Sequence, residues 1–264
     1  MARDGFAVVK GLVDPGQLVQ LRSSLASLLA AQGNVADDSL RLYESGCPPS
    51  PDAVKYLTFK TFNHLPAVPA YDALRDFPLT PRIEQFARAC MTCGQDEALE
   101  YGTKYLDKPP VPDRANRSAT PYHQDAWYFS QAAMGRQQST HVCGGTEAAA
   151  AQSRLCSVFV ALDNVDEENS CLRYLRGSHL PQRLVPHTGG GPVGFSQQAQ
   201  PLSSIEAAVD EVAVCLRAGD AVLHDGFVLH YAEANRSTDR HRRALGIVYR
   251  RRIIVRERAC HSKL

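Results

Sequence analysis

The segment TPYHQDAWYF at 120–129 sets His123 two residues ahead of Asp125. Residues i and i+2 of a strand project from one face, so an imidazole and a carboxylate are expected in one small volume while Gln124 points away. By itself such a pair reads first as a hydrogen-bonded couple. The later segment AGDAVLHDGFVLHYAEANRSTDRHRRALGIVYR at 218–250 supplies a second imidazole. In it Gly219-Asp220 turns into an apolar strand, His230 closes the strand after that, and Arg242 opens a third. Two histidines and one carboxylate on one face of a metal leave the opposite face open. That arrangement suits iron(II) chemistry, in which oxygen and a co-substrate bind the metal beside the substrate, whereas a structural zinc site fills its own shell.

These residues need a scaffold, and the apolar periodicity predicts one. Phe6 to Val9 reads as a strand, and Asp14-Pro15 as a cap and first position of a helix carrying Leu18, Leu21, Leu25, Leu28 and Leu29 at helical spacing. Thr80-Pro81 opens a second helix with Ile83, Phe86, Ala87 and Cys90 on one face and Gly94 placed to end it. From residue 98 the pattern changes to short runs rich in β-branched and aromatic residues: 98–106, 154–162, 171–175, 210–216, 220–224, 227–232 and 243–255. Strands without intervening helices favour a sandwich, barrel or jelly roll over a parallel sheet. The expected organisation is one domain: a helical preface with the first strand at 1–97, a β core at 98–256 and a tail at 257–264. Long loops fall near 131–152 and 186–205, and the run Gly189-Gly190-Gly191 lacks the lysine of a P-loop.

Composition narrows the function classes. With 29 basic and 28 acidic residues in 264 there is no electrostatic footprint for nucleic acid. No apolar run is long enough to span a membrane, and the N-terminus lacks the order of a signal peptide. The eight cysteines are scattered and read as reduced; Cys90 and Cys93 form a CxxC with no second pair to complete a zinc site.

The chain resembles the phytanoyl-CoA dioxygenase family of iron(II)- and 2-oxoglutarate-dependent oxygenases. The resemblance rests on DGFAVVKGLVDP at 4–15, KPP at 108–110 ahead of YHQD, ALDNVDEENSCLRYLRGSH at 161–179 and GDAVLHDGFVLHYAEANRS at 219–237, in that order. It implies a mainly β fold, a double-stranded β-helix (jelly roll) with flanking N-terminal helices. It also implies that His123, Asp125 and His230 hold Fe(II), with O2 and 2-oxoglutarate as co-substrates and ascorbate as an accessory reductant. Arg242 matches the arginine that grips the distal carboxylate of 2-oxoglutarate, a task suited to a planar guanidinium. Arg243 competes for that role, because one extra residue separates Asn235 from Arg242 relative to the family spacing, and only one of two neighbours on a strand faces inward.

Around these positions the residues have more ordinary alternatives. Trp127, Tyr128 and His224 are candidates for the substrate pocket, the first on the assumption that the strand carrying His123 continues, and His224 equally for a hydrogen bond behind a ligand or for a plain structural role. His179 is expected to tie down a loop, while His64, His141, His187 and His241 have no constellation around them. Lys104 and Lys108 read as solvated strand ends rather than a second charge for the co-substrate. Two departures from the family pattern, Arg176 in place of proline and Ser170 in place of glycine, lie in a turn and bear on local geometry more than on chemistry. The arginine-dense run 236–258 reads as a solvent-facing surface before it reads as a dock for coenzyme A phosphates.

The implied reaction is hydroxylation of an aliphatic C–H bond with release of succinate and carbon dioxide. A small molecule is the expected partner, by analogy a fatty acyl-CoA, with a small natural product or amino-acid derivative as the alternative. A metal-dependent hydrolase has no need of a carboxylate clamp, and a catalytically silent 2-oxoglutarate or acyl-ligand binder has no need of intact ligands. Ser262, Lys263 and Leu264 spell the address read by the peroxisomal import receptor, so the peroxisomal matrix is the expected location.

Overall fold

A computed structural model describes residues 1–30, 41–42, 58–59, 65, 67–95, 97–110, 119–129, 155–180, 182–189, 197–200 and 210–251. The loop 131–152, His64, His141, residues 252–258 and the 262–264 tripeptide lie outside that set.

Strand β1 (Phe6–Val9) and helix α1 (Pro15–Ala30) form where the apolar spacing predicts them. The helix start is a reciprocal cap: the Gln17 N–H donates to Asp14 Oδ1 at 2.9 Å, and the Asp14 N–H donates to Gln17 Oε1 at 3.2 Å. Two-residue strands β2 (Arg41–Leu42) and β3 (Thr58–Phe59) pair with each other. Helix α2 (Asp72–Asp76) is followed by α3 (Pro81–Met91), which is capped by Thr92 in the left-handed conformation (φ 53°), two residues before the Gly94 expected to end it. The strands β4 (Leu99–Lys108), β5 (Thr120–His123), β6 (Leu155–Ala161), β7 (Leu172–Leu175), β8 (His187–Gly189), β9 (Gln197–Ala199), β10 (Glu211–Val214), β11 (Ala221–Asp225), β12 (His230–Ala232) and β13 (Arg242–Arg251) complete the order.

Five strands make an antiparallel sheet in the order β1-β11-β6-β13-β4, and four make a second in the order β10-β7-β12-β5. This is the expected jelly roll, and the first strand joins its larger sheet, β1 pairing along its whole length with β11. The larger sheet is covered on both faces. Outside it, Leu18, Leu21, Leu28 and Ile83 of α1 and α3 pack on Val158, Val160 and Ile247. Inside, Phe159, Val222 and Ala244 meet Leu172, Tyr174 and Ala232 of the smaller sheet. Burial on both faces explains why β6 is apolar almost throughout, each fully buried large side chain contributing roughly 1.5–3 kcal/mol. The turn into β11 requires Gly219: its φ is +91°, and a Cβ there would lie 2.6 Å from the Val13 carbonyl oxygen.

No helix among the described residues is long and apolar enough to cross a membrane. Cys90, Cys93, Cys156, Cys171 and Cys215 are free thiols, with Cys90 and Cys93 packed against the outer core.

Candidate metal centre

Two rows of side chains face each other across the jelly roll. On the smaller sheet, pairing of β12 with β5 and β7 sets His123, His230 and Tyr174 side by side. On the larger sheet the register aligns Phe6, His224, Ser157 and Val248. Phe6 stacks on Tyr174 at 4.5 Å between ring centroids and closes one end of the gap. Asp125 enters from the side. Strand β5 stops at His123, and residues 125–129 form a helical turn whose Ala126 N–H donates to the Gly226 carbonyl at 2.9 Å. The His123 and Asp125 side chains do meet, but through this strand-to-helix turn and not through strand alternation.

Hydrogen bonding assigns the imidazole tautomers. His123 Nδ1 lies 2.8 Å from the Pro121 carbonyl oxygen, and His230 Nδ1 lies 3.1 Å from that of Val228. A carbonyl only accepts, so each Nδ1 carries a proton, which in the neutral ring leaves Nε2 as the atom with the lone pair. Asp125 Oδ2 accepts from the Ser157 hydroxyl and from His224 Nε2–H at 3.1 Å, while Tyr174 O–H donates to His224 Nδ1 at 2.9 Å. That leaves Oδ1 toward His123, 3.6 Å from its Nε2. One donor atom from each of His123, Asp125 and His230 lies within 4.8 Å of the others. Two neutral imidazole nitrogens and one carboxylate oxygen converging from one side fit an iron(II) ion with open positions opposite. Burial works to raise the Asp125 carboxyl, but His123, His224 and His230 outweigh it and hold the group well below the usual carboxylate range. Burial, reinforced by His123 and His224, pushes His230 well below the ordinary imidazole value, which preserves its lone pair.

The centre opens on a cavity walled by Leu106, Phe159, Leu172 and Val248, with Lys104 and Arg242 also lining it. The two candidate arginines separate cleanly. Arg242 is 2% exposed, its Nε–H donates to the Ser170 carbonyl at 3.1 Å, and its guanidinium carbon sits 5.2 Å over the Phe159 ring. Arg243 turns to the opposite face and forms a two-pronged ion pair with Asp163 at 2.7 and 2.8 Å, so it does not compete for the cavity. Lys108, expected to be solvated, is wholly buried opposite Arg242 in the β4-β13 register. Burial and the Arg242 charge lower its pKa well below the ordinary lysine value. Lys104 lines the cavity rather than only ending a strand.

The aromatic candidates divide differently from the expectation. Because 125–129 is helical, Trp127 stacks on His187 at 4.5 Å and 17° and is not among the residues lining this cavity, and neither is Tyr128, whose ring meets His123 edge-on at 5.9 Å. His224 does line it, behind Asp125. Gln124 and His187 were without a role in the sequence. Gln124 is fully buried: its Nε2–H groups donate to Phe227 O at 2.7 Å and Arg183 O at 3.1 Å, and its Oε1 accepts from the Val185 N–H at 2.8 Å. His187 Nε2 accepts the Gln124 backbone N–H at 3.1 Å, and burial lowers its pKa to about 4. The segment between His123 and Asp125 is thus stapled to the turn that precedes His230. A polar residue between two candidate ligands was the only signal, and its partners lie 59 to 103 residues away. His179 ties the N-terminal segment through the Ala2 carbonyl at 3.2 Å, as expected of it, and His241 pairs with Asp107 at 3.0 Å. Within the arginine-dense run, Arg240, Arg243 and Arg250 are all in ion pairs.

The family model for phytanoyl-CoA dioxygenase matches residues 1–244. The chain belongs to the phytanoyl-CoA dioxygenase family. Its class is therefore that of the iron- and 2-oxoglutarate-dependent dioxygenases, and the donor set described above fits that metal. The 2-aminoethylphosphonate dioxygenase of uncultured bacterium HF130_AEPn_1 is 32% identical over 130 residues, which is 49% of this chain and 39% of that protein's length. Among solved structures, the epimerase SnoN in complex with Fe3+, alpha ketoglutarate and nogalamycin RO superposes with a TM-score of 0.64 at 24% identity, covering 94% of this chain and 79% of its own. EctD from S. alaskensis, with 2-oxoglutarate and 5-hydroxyectoine, gives 0.63 at 17% identity, over 94% and 72%. At these identities the structural likeness bears on the fold.

Proposed function

We propose that this family member hydroxylates an aliphatic C–H bond of a small molecule, with iron(II) held by His123, Asp125 and His230 and the distal carboxylate of 2-oxoglutarate held by Arg242. The observation that carries this reading is the position of Arg242, a buried cation on the wall of the same apolar cavity that holds the three converging donors. When bound, the metal and 2-oxoglutarate supply the oxidising chemistry. The chain's own part is to orient and to exclude water. His224 and Ser157 hold one Asp125 oxygen so that the other stays available, and Tyr174 fixes the His224 tautomer. A fatty acyl-CoA or related lipid-derived molecule is the proposed substrate, supported by the apolar walls at Leu106, Phe159, Leu172 and Val248 and by the tripeptide Ser262-Lys263-Leu264. The same tripeptide supports a location in the peroxisomal matrix through the import receptor, which a fluorescent fusion with and without it tests. The second reading, a small polar metabolite, is favoured by the similarity to a 2-aminoethylphosphonate dioxygenase and by Lys104 on the cavity wall. Incubating iron-loaded protein with acyl-CoAs, free acids and aminophosphonates, while following succinate and 18O incorporation, tests both. Succinate formation coupled to an oxygenated acyl product supports the first. Coupling to an aminophosphonate alone supports the second, and no coupling across a panel of aliphatic compounds contradicts hydroxylation.

A further inference from the structure

Ser170 sits in a left-handed conformation, φ +82°, where a side chain is strained and glycine is at ease. Such a conformation persists in a residue with a Cβ only where its surroundings over-determine it. Here they do. The Ser170 hydroxyl donates to the Glu233 carbonyl and accepts from Lys108 Nζ at 3.0 Å, and Lys108 Nζ also donates to the Glu233 carbonyl at 2.9 Å. Ser170 is 1% exposed and Lys108 is fully buried, so water does not substitute for these bonds. The strained turn delivers the Ser170 carbonyl to Arg242 Nε at 3.1 Å. The end of β4, the start of β13 and the segment after β12 therefore all bond to Ser170 in the 166–171 turn, whose carbonyl holds the guanidinium.

We propose that Ser170 and Lys108 are positioning residues for Arg242: together they hold the carbonyl that fixes the rotation of its guanidinium, and so set the affinity for the distal carboxylate of 2-oxoglutarate. The proposal rests on the reading of Arg242 as the co-substrate clamp. A guanidinium must lie in the plane of a carboxylate to make two parallel hydrogen bonds, and a fixed carbonyl at Nε is a direct way to settle that plane. The serine hydroxyl is accordingly more than a tolerated departure in a turn. It pins a strained backbone whose carbonyl faces the cavity's cation.

The test is anaerobic calorimetry of 2-oxoglutarate binding to the Fe(II)-loaded protein, with Fe(II) affinity and melting temperature of each variant measured alongside. Ser170→Gly, Ser170→Ala and Lys108→Met are each expected to weaken 2-oxoglutarate binding roughly 5- to 10-fold while Fe(II) affinity stays within about twofold, because no metal ligand is touched. Ser170→Gly is expected to melt roughly 2–4 °C above Ser170→Ala, since both lose the hydroxyl and only glycine relieves the strain. Lys108→Met leaves the Ser170 backbone intact and keeps the question answerable if a Ser170 variant folds poorly. Wild-type 2-oxoglutarate affinity in Lys108→Met or in folded Ser170→Gly, with binding lost in Arg242→Gln, overturns the proposal and leaves the clamp standing. Wild-type affinity in Arg242→Gln removes the clamp itself, and this proposal with it.

Discussion

Replacing Gln124 by glutamate changes one NH2 group to an oxygen and almost nothing in shape, which makes it a sharp probe of the staple between His123 and Asp125. The Gln124 Nε2 atom faces two carbonyl oxygens, Phe227 O at 2.7 Å and Arg183 O at 3.1 Å, and a carboxylate there meets both with an acceptor. A protonated glutamate satisfies one carbonyl at best and leaves the other buried and unmade, at about 1–3 kcal/mol; holding the extra proton at neutral pH adds to that. A total near 3 kcal/mol corresponds to a fall of roughly 6–12 °C in the melting temperature of the metal-free protein. The staple ties the turn between His123 and Asp125 to the turn before His230, so metal affinity should also drop, by roughly 10- to 100-fold. Differential scanning calorimetry of the metal-free protein and chelator competition for Fe(II) measure the two effects separately. A Gln124→Glu protein that melts and binds metal as wild type would refute the staple.

Further outcomes follow from the same geometry. Arg242→Gln should raise the KM for 2-oxoglutarate roughly 10- to 100-fold through loss of a charge-assisted pair, whereas Arg243→Ala, which removes only the half-exposed pair with Asp163, should leave that KM unchanged and cost about 1 kcal/mol or less in denaturant unfolding. His224→Ala removes one of the two hydrogen bonds to Asp125 Oδ2 and the partner of the Tyr174 hydroxyl, and should weaken Fe(II) binding roughly 10- to 100-fold in chelator competition, with no change predicted for an account in which His224 only fills space. His187 is held neutral in the folded protein, with its pKa depressed to about 4 by burial against an ordinary 6.5. The unfolded chain therefore binds the extra proton between those values, so this contribution is fully present above pH 6.5 and is lost as pH falls toward 4, up to about 3 kcal/mol. Urea unfolding of wild type and His187→Gln across that range should show the shallower slope in the variant; parallel slopes would count against the assignment.

What was legible in the sequence followed from local pattern. The leucines of α1, the buried run of β6 and the turn at Gly219 carry their periodicity or backbone requirement in neighbouring residues. The three donors were legible by type and order. The route by which Asp125 arrives was not, because the helical turn at 125–129 closes on Gly226, a hundred residues along the chain, and with it Trp127 leaves the cavity for His187. The same limit hid Lys108, whose charge is buried by contacts 62 and 125 residues away, and Ser170, whose strain is visible only in the folded backbone. Residues that make chemistry announce themselves by kind, while those that aim them depend on partners that only the fold brings near.

The central claim is that His123, Asp125 and His230 hold iron(II) in a form that 2-oxoglutarate then chelates. Anaerobic titration of the purified protein with Fe(II) and 2-oxoglutarate, followed by visible absorption, tests it most directly. The account predicts a charge-transfer band that appears only with both additions, saturates at one equivalent of each, and vanishes in folded Asp125→Ala. A correctly folded wild-type protein that develops no such band, or an Asp125→Ala protein that keeps it, contradicts the account.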